Sequence, residues 1–433
     1  MENKITLSQE NKCEINHLIF PSCPSKKDSF LTNTISDWAI DGKTDSELAQ
    51  AIDSHFYFTK IKDSRFNYVS ADSLDKEDVH IYYIPITNPL FFHDNRNEGF
   101  RFINQRIKQD IKYKRCKIVL HMLDDGVSGS EFNDDLEIIE KWRIQEKFPV
   151  NSIYYYCLNL KINENCKEKK IGIIGVPSHW TSENYLIEDN VPTAILPTKE
   201  DYKLFLNYNR NPHRHRFYFF LRMFEEDILK DGLVSFTLLE DAPQYSEEEI
   251  RKWHQDKENE IDEIVKLLPM RIDGLDTSES TGELGQLPIT KDFSKTFLSI
   301  VSESMCAEKS IYLSEKTFKP ILMKHPFMLI ASRGSIKKLK ETGYKTFDKW
   351  WDESYDDCIT YQERIEKILI EIKKLKLLSF DDLIKMRLEM SEILEHNRKL
   401  ILNRMDNKNN PLMQLLIKIN NDLKNEKNTN NWL

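Results

Sequence analysis

The chain has 433 residues, of which 40% are apolar, and its formal net charge is −9. That length exceeds one ordinary hydrophobic core and predicts two domains, while the apolar content predicts a folded chain. The negative charge argues against a general nucleic-acid coat protein, although a local basic cleft is compatible with it.

Three further patterns exclude whole classes of protein. The seven cysteines never occur as C-x-x-C, which indicates reduced thiols and provides no zinc signature. The first thirty residues are polar, and no window approaches the roughly 18 apolar residues of a membrane span, so we predict a cytoplasmic protein without signal peptide or span. The glycine-rich motifs of P-loop NTPases and simple dinucleotide dehydrogenases are absent, as is the G-x-S-x-G of α/β-hydrolases.

Strands alternate with helices from residue 78 onward, whereas the opening segment predicts only a helix over 46–54. The alternation predicts an α/β fold with a mostly parallel sheet, whose functional loops lie at the carboxyl ends of its strands. Asp124 and Asp125 follow one predicted strand and are candidates for a general base or a metal site, although a tight turn uses the same residue types. The predicted strands are 78–86, 116–122, 153–160 and 170–176, and the predicted helices are 100–113 and 134–148.

A polar stretch with two prolines at 188–199 predicts the domain boundary. The polar segment 273–290 is predicted to be a mobile flap, and the last twenty residues are predicted to fray. The predicted domains are 1–195, 196–358 and a helical C-terminal extension, 359–433. Beyond the boundary, predicted strands cover 204–208, 232–239, 297–301 and 326–331, and predicted helices cover 216–229, 246–268, 365–377 and 380–406, with further helices beginning at 314 and 335.

A basic turn at 209–216 lies between a predicted strand and a predicted helix. Its arginines, Arg210, Arg214 and Arg216, lie where backbone N–H groups converge at a helix start, which suits a diphosphate. The alternative is a solvated loop whose arginines pair with nearby acids.

A second basic helix start occurs at 312–320, where Ser314 is a good N-cap. Lys316 and Lys319 predict an anion site there, and two such sites on neighbouring strand ends would hold two phosphates of one nucleotide. Glu315, and Glu303 after the strand 297–301, are candidates for contacts with a ribose diol, although carboxylates at helix starts often serve only the helix.

The segment 297–304 (FLSIVSES) followed by 312–318 (YLSEKTF) resembles the donor-binding motif of α-1,3-fucosyltransferase-type enzymes. The segments 315–320 (EKTFKP) and 343–348 (GYKTFD) are similar to glycosyltransferases encoded by bacteriophages and large DNA viruses. The resemblance covers roughly residues 202–357 and does not extend to 1–195.

This resemblance implies a GT-B-type fold, in which two Rossmann-like domains face each other across a cleft and the C-terminal one binds a nucleoside diphosphate sugar. It implies that no metal is required, because cationic side chains and helix starts stabilise the leaving diphosphate. It also places Lys316 on the phosphates, Glu315 on the ribose or sugar and Glu303 near the sugar ring. Arg210 or Arg214 would be a diphosphate partner, while departures at Ser304, Ser314 and Pro320 leave the sugar open.

Our leading hypothesis is a cytoplasmic glycosyltransferase, located in the host cytoplasm if the chain is viral. Asp124 or Asp125 would deprotonate the acceptor if the reaction inverts configuration. The acceptor is a glycan or small molecule, which fits the acidic charge, or a hydroxylated base in viral DNA, for which 106–117 is the N-terminal basic candidate. The alternative is a non-catalytic binding or virion-associated protein that keeps the nucleotide-sugar-binding fold.

Overall fold

The structure is a computed structural model in which the chain divides into two compact units, residues 1–176 with 406–433 and residues 177–405. The predicted helix 46–54 and the predicted flap up to residue 289 lie outside the described residues. The described residues are 15–19, 66–68, 78–86, 92, 96–97, 99–100, 103, 105–122, 131–162, 170–175, 193–209, 212–238, 246–272, 290–306, 310–405 and 411–429.

The first unit is built on a parallel six-stranded sheet with the order β2-β1-β3-β4-β5-β6. Its central strands are almost continuous runs of apolar residues, as is usual for strands covered on both faces. The strands are β1 (Ile15–Ile19), β2 (Phe66–Tyr68), β3 (His80–Ile86), β4 (Cys116–Met122), β5 (Ile153–Cys157) and β6 (Gly172–Gly175), and the connecting helices are α1 (Gln105–Lys112) and α2 (Glu131–Gln145).

The chain's last described helix, Pro411–Thr429, belongs to this first unit and packs on β1, β3 and β4. The prediction that these residues fray was wrong. Five leucines and isoleucines recur at three- and four-residue spacing and are buried, which drives the helix onto the sheet despite its asparagine-rich composition. They are Leu412, Leu415, Leu416, Ile419 and Leu423.

The second unit is built on a parallel four-stranded sheet with the order β10-β9-β7-β8. Both units therefore have the α/β architecture of Rossmann-like domains, and the predicted α/β fold class is confirmed. The strands of the second unit are β7 (Lys203–Tyr208), β8 (Gly232–Ser235), β9 (Thr296–Ser302) and β10 (Phe327–Ile330). Its helices are α3 (Arg214–Glu225), α4 (Glu247–Trp253), α5 (Glu258–Leu267), α6 (Thr290–Ser294), α7 (Glu315–Leu322), α8 (Ser335–Glu341), α9 (Tyr361–Lys376), α10 (Phe380–Glu389) and α11 (Ser391–Met405).

Two long predicted helices are each interrupted in the structure. The predicted helix 246–268 divides into α4 and α5, because His254 leaves helical geometry at φ −136° and ψ 58°. The predicted helix 380–406 divides into α10 and α11 at Met390. None of the helices in the described ranges has the length and apolar composition needed to cross a bilayer.

The strand order of the second unit positions its functional loops. The chain leaves β7 for β8 on one side and leaves β9 for β10 on the other, so β7 and β9 are neighbours whose connections diverge. Right-handed crossovers place the two following helices, α3 and α7, on opposite faces of the sheet. This switch point opens a crevice outside the carboxyl ends of β7 and β9, where ligands bind in open α/β sheets.

Candidate functional site

The two basic segments predicted from the sequence meet at Glu303, directly after β9: the turn 209–216 contacts its backbone, and the segment 312–320 contacts its carboxylate. His215 Nε2 lies 2.8 Å from the carbonyl oxygen of Glu303, and Arg216 Nε donates to the same oxygen at 3.2 Å. Because a carbonyl only accepts hydrogen bonds, the His215 ring carries its proton on Nε2 in this contact. The start of α3 is thereby joined to the loop that leads to α7.

The carboxylate of Glu303 faces protein donors and is fully buried. It accepts hydrogen bonds from the backbone N–H of Ser314 at 2.9 Å and of Ser304 at 3.4 Å. The hydroxyls of Ser314 and Thr317 also donate to it. Four donors therefore surround a carboxylate that was predicted to lie near a sugar ring, and in this geometry it holds the first turn of α7.

Lys316 and Glu315 form the exposed tip of α7. The Lys316 ammonium lies 2.8 Å from Glu315 Oε1 and donates to the Ser304 hydroxyl at 3.2 Å. The two side chains are 30% and 27% exposed, so both are available to a ligand. Burial raises the pKa of Glu315, but the charges of Lys316 and Lys319 outweigh it and lower the pKa below its ordinary value. Glu315 is therefore an ionised acceptor beside two cations.

Lys319 lies one turn further along α7, where burial and the nearby Lys316 lower its pKa and Glu315 opposes them. Both Lys316 and Lys319 line an open pocket between α7 and the sheet. An apolar pocket with a few cations at its lining suits a ligand that is partly flat or apolar and partly anionic. The remaining lining residues are Leu206, Tyr208, Phe293, Ser299, Ile300, Val301, Ser302 and Pro320.

The arginines of the basic turn occupy different environments. Arg214, the first residue of α3, is exposed, and its guanidinium lies 5.2 Å from the ring centroid of Trp253. Arg216 is only 2% exposed and points at Glu303. Arg210, like the acceptor-side candidates Asp124 and Asp125, lies outside the described residues.

Two histidines of the same turn are neutral. Burial, followed by the charge of Arg216, lowers the pKa of both His213 and His215 to about 3. The charge of Lys316 also lowers the pKa of His213, so that lysine is close to the basic turn. Burial, reinforced by the positive charge at the switch point, therefore keeps these two imidazoles unprotonated.

Replacing His215 with glutamine is expected to make the folding stability less sensitive to acid. The pKa of His215 is lowered from 6.5 to about 3 in the folded chain. As the pH falls below 6.5 the unfolded chain binds the proton first, so the folded state loses up to ~1.4 kcal/mol per pH unit. Glutamine keeps a donor for Glu303 but binds no proton.

Urea unfolding of His215→Gln and of the wild type, at about pH 7 and about pH 5, measures this effect. The loss of unfolding free energy between the two pH values is expected to be smaller in the variant. His396→Gln, on α11, is the matched control because its ring also lies against a carbonyl oxygen, that of Gly343, at 2.9 Å. An equal acid sensitivity of His215→Gln and the wild type would contradict the prediction.

Three polar side chains at this sheet edge were not singled out from the sequence. Asn207 donates to the Ile300 carbonyl at 2.7 Å and so bridges β7 and β9. Asn207 and Asn209 are both buried, and Asn209 donates to Asn207. An asparagine near the end of the apolar strand β7 and a second one two positions later are the sequence signal for them, whereas nothing local marks Thr317 as a partner of Glu303. Within the described ranges, no group of His, Cys, Asp and Glu residues is arranged to hold a metal ion.

No protein-family model matches the chain, and no curated protein matches it. Solved structures match at low identity. The Glycosylation Associate Protein (Gap123) complex from Streptococcus agalactiae is 12% identical with a TM-score of 0.31, over 84% of this chain and 58% of that one. The O-GlcNAc transferase of Thermobaculum terrenum is 9% identical with a TM-score of 0.41, over 98% and 70%. A trehalose-phosphate synthase from Burkholderia xenovorans is 9% identical with a TM-score of 0.38, over 89% and 79%.

This chain therefore spans less than two thirds of the Gap123 chain that it matches. Among proteins of known structure, this chain is thus distantly similar to proteins named as an O-GlcNAc transferase, a trehalose-phosphate synthase and a glycosylation-associated complex.

Proposed function

We propose that the chain transfers a sugar from a nucleoside diphosphate donor to a hydroxyl acceptor. The observation that supports this most directly is the convergence of two basic helix starts, those of α3 and α7, at one switch point through Glu303. Both helix starts offer backbone N–H groups and side-chain cations to an anion with two phosphates.

The proposed catalysis depends on the place where negative charge develops during transfer. A leaving nucleoside diphosphate gains negative charge as the glycosidic bond breaks, and fixed cations at that place lower the barrier. We propose that Lys316 contacts this diphosphate, supported by Arg214 and by Arg210, while Lys319 lies behind them in the pocket. Glu315 accepts hydrogen bonds from hydroxyls of the ribose or sugar. Its ionised state suits that task.

The proposal assigns Arg216 and Glu303 to holding the site rather than to touching the donor. Both are buried, and they contact each other through the Glu303 carbonyl oxygen. Asp124 or Asp125 is the proposed base for the acceptor hydroxyl in an inverting reaction. A reaction that retains configuration would remove that assignment.

A glycan or small molecule is the proposed acceptor class, in preference to DNA. In the basic run 106–117, Lys108 and Lys117 are 7% and 6% exposed and form ion pairs with Glu146 and Glu426. Arg115 pairs with Asp110 at 2.5 Å. Three of the six cations in this run are therefore already paired with carboxylates and offer little to phosphodiesters, which are bound by exposed lysines and arginines; Lys112 and Lys114 are the exposed lysines of the run.

Thermal unfolding with UDP, GDP and CMP, and hydrolysis of the corresponding sugar donors, test the proposed function. One nucleoside diphosphate is expected to raise the melting temperature, because a ligand that binds only the folded state stabilises it. The matching sugar donor is expected to be hydrolysed slowly, and both results are expected to persist in EDTA, since the proposed site uses side-chain cations.

The outcomes separate the alternatives. A thermal shift without hydrolysis or transfer would favour a non-catalytic nucleotide-sugar-binding protein. Loss of the shift in EDTA, with recovery on adding Mg²⁺, would contradict the metal-independent part of the proposal. No shift and no hydrolysis with any donor would overturn the enzyme proposal.

A further inference from the structure

Helix α7, which presents Lys316, is poorly able to hold its own orientation. It has eight residues, and Pro320 lies inside it. Helices this short are marginal in water, and a proline removes an N–H donor from the helix interior. The direction of its first turn therefore depends on groups outside the helix.

Two arginines from the helical C-terminal segment of the second unit bind the carboxyl end of α7. Arg398 on α11 donates to the carbonyl oxygen of Leu322, the last residue of α7. Arg387 on α10 donates to the carbonyl oxygen of Lys324 at 2.7 Å. The final carbonyls of a helix have no partners within it, and the helix dipole favours cations there.

Arg387 also connects this end of α7 to the sheet. Its other terminal nitrogen donates to the carbonyl oxygen of Phe297 in β9 at 2.6 Å. The side chain is 4% exposed, burial lowers its pKa to about 9, and it forms no ion pair with any described residue. Burying an arginine without a carboxylate partner costs free energy. The rigid planar guanidinium can donate to two fixed carbonyl oxygens at once, which a lysine ammonium does less well.

A third contact reinforces the same connection. Lys324, in the turn after α7, forms an ion pair with Glu395 of α11 at 2.5 Å. The carboxyl end of α7 is thus bound by α10 and α11, while Glu303 and Ser314 bind its amino end. A rigid element held at both ends has one orientation.

We propose that Arg387 and Arg398 are positioning residues for the anion site: by fixing the carboxyl end of α7, they fix where its amino end presents Lys316. This inference rests on the proposed function, because it assigns the helical segment a task in nucleotide binding. It predicts that a substitution two helical turns away from Lys316 weakens the binding of a ligand that it does not touch.

The substitution Arg398→Met tests this, and because Arg398 is half-buried we expect the variant to fold. The dissociation constant of the nucleoside diphosphate that stabilises the wild type is expected to rise about fivefold, the equivalent of losing one ordinary hydrogen bond, because Arg398 acts on the ligand only through α7. Hydrogen exchange of the α7 amides is expected to become faster. Arg398→Lys, which keeps a cation, is expected to restore part of the nucleotide affinity and part of the protection of the α7 amides.

Arg404→Met is the matched control. Arg404 lies on the same helix, α11, and donates to the carbonyl oxygen of Thr342, the C-cap of α8 rather than of α7. This variant is expected to lose comparable stability with nucleotide affinity within about twofold of the wild type. Equal affinities and equal α7 exchange in Arg398→Met and Arg404→Met would overturn the inference.

Failure of the proposed function would look different. If the wild type binds no nucleotide, the role in nucleotide binding is overturned together with that function. The exchange of the α7 amides still reports, without any ligand, whether Arg398 holds the helix.

Discussion

Replacing Lys316 with alanine is expected to weaken the binding of the nucleoside diphosphate strongly while leaving the fold intact. The side chain of Lys316 is 30% exposed, and its ammonium contacts Glu315 and Ser304. A half-exposed ion pair of this kind adds at most about 1 kcal/mol to stability. Its hydrogen bond to a phosphate would be between two charged groups, so its loss should weaken binding roughly 10- to 100-fold.

The removal of Lys316 also takes away the charge that balances Glu315 at the tip of α7. Glu315 stays ionised because Lys319 still lies beside it, and it then faces the incoming diphosphate without its closest cation. Repulsion between the carboxylate and the phosphates adds to the lost hydrogen bond. The double variant Glu315→Gln with Lys316→Ala is therefore expected to recover part of the affinity.

Calorimetric titration and thermal unfolding of Lys316→Ala separate a binding defect from a folding defect. Lys374→Ala is the matched control, because Lys374 forms a similar ion pair with Glu371, at 2.6 Å, within α9. It is expected to change the melting temperature as little as Lys316→Ala does and to bind the nucleotide normally. Unchanged affinity in Lys316→Ala would remove this lysine from the site.

Local sequence patterns were sufficient for the elements on which the site is built. The strand Cys116–Met122 matches its predicted range, and α7 begins after the predicted N-cap, Ser314, whose hydroxyl accepts from the Lys316 N–H at 3.2 Å. Both depend on interactions within a few residues, an apolar run in one case and a capping hydroxyl in the other. Local signals of this kind can be detected in a single sequence.

The interactions that hold the site together were beyond prediction because they join residues far apart in the chain. His215 and Glu303 are 88 positions apart and meet only because β7 and β9 are neighbours in the sheet. The strand order that makes them neighbours is a property of the whole unit. For the same reason the sequence left two interpretations of Glu303 open, a carboxylate that serves a helix start or a ligand for sugar, and the four protein donors around it become visible only in the structure.

The last helix illustrates a different failure. Its asparagines and lysines favoured a frayed terminus, yet its buried face satisfies the helical period throughout. Composition and periodicity disagreed there, and periodicity was the better guide because burial of one apolar stripe decides whether a helix docks. The contacts of Arg387 and Arg398 with backbone carbonyls could not be predicted from the sequence either, since arginines on a helix usually lie in solvent.

Replacing Glu303 with glutamine is expected to weaken the binding of the nucleoside diphosphate itself about tenfold, even without a sugar attached. One carboxylate oxygen becomes an NH₂ group, which cannot accept the hydrogen bonds of Ser314 or Ser304. The first turn of α7 then loses part of its anchor and Lys316 its fixed position. A residue that only touched the sugar would leave the affinity for the bare nucleotide unchanged and lower turnover instead.

Asp356→Asn provides a matched control for this substitution. Asp356 is a second buried carboxylate that holds a helix start, since it accepts from the N–H groups of Ile336 and Lys337 at 3.0 Å each. Both amide variants are expected to lose about 1 to 2 kcal/mol of unfolding free energy, the usual cost of disturbing a buried hydrogen-bonded charge or cap. Only Glu303→Gln should weaken nucleotide binding, because α8 does not present Lys316. If Glu303→Gln bound the bare nucleotide as tightly as Asp356→Asn and lost only turnover, the carboxylate would act on the sugar after all, and α7 would owe its orientation to Ser314 and the arginines at its other end.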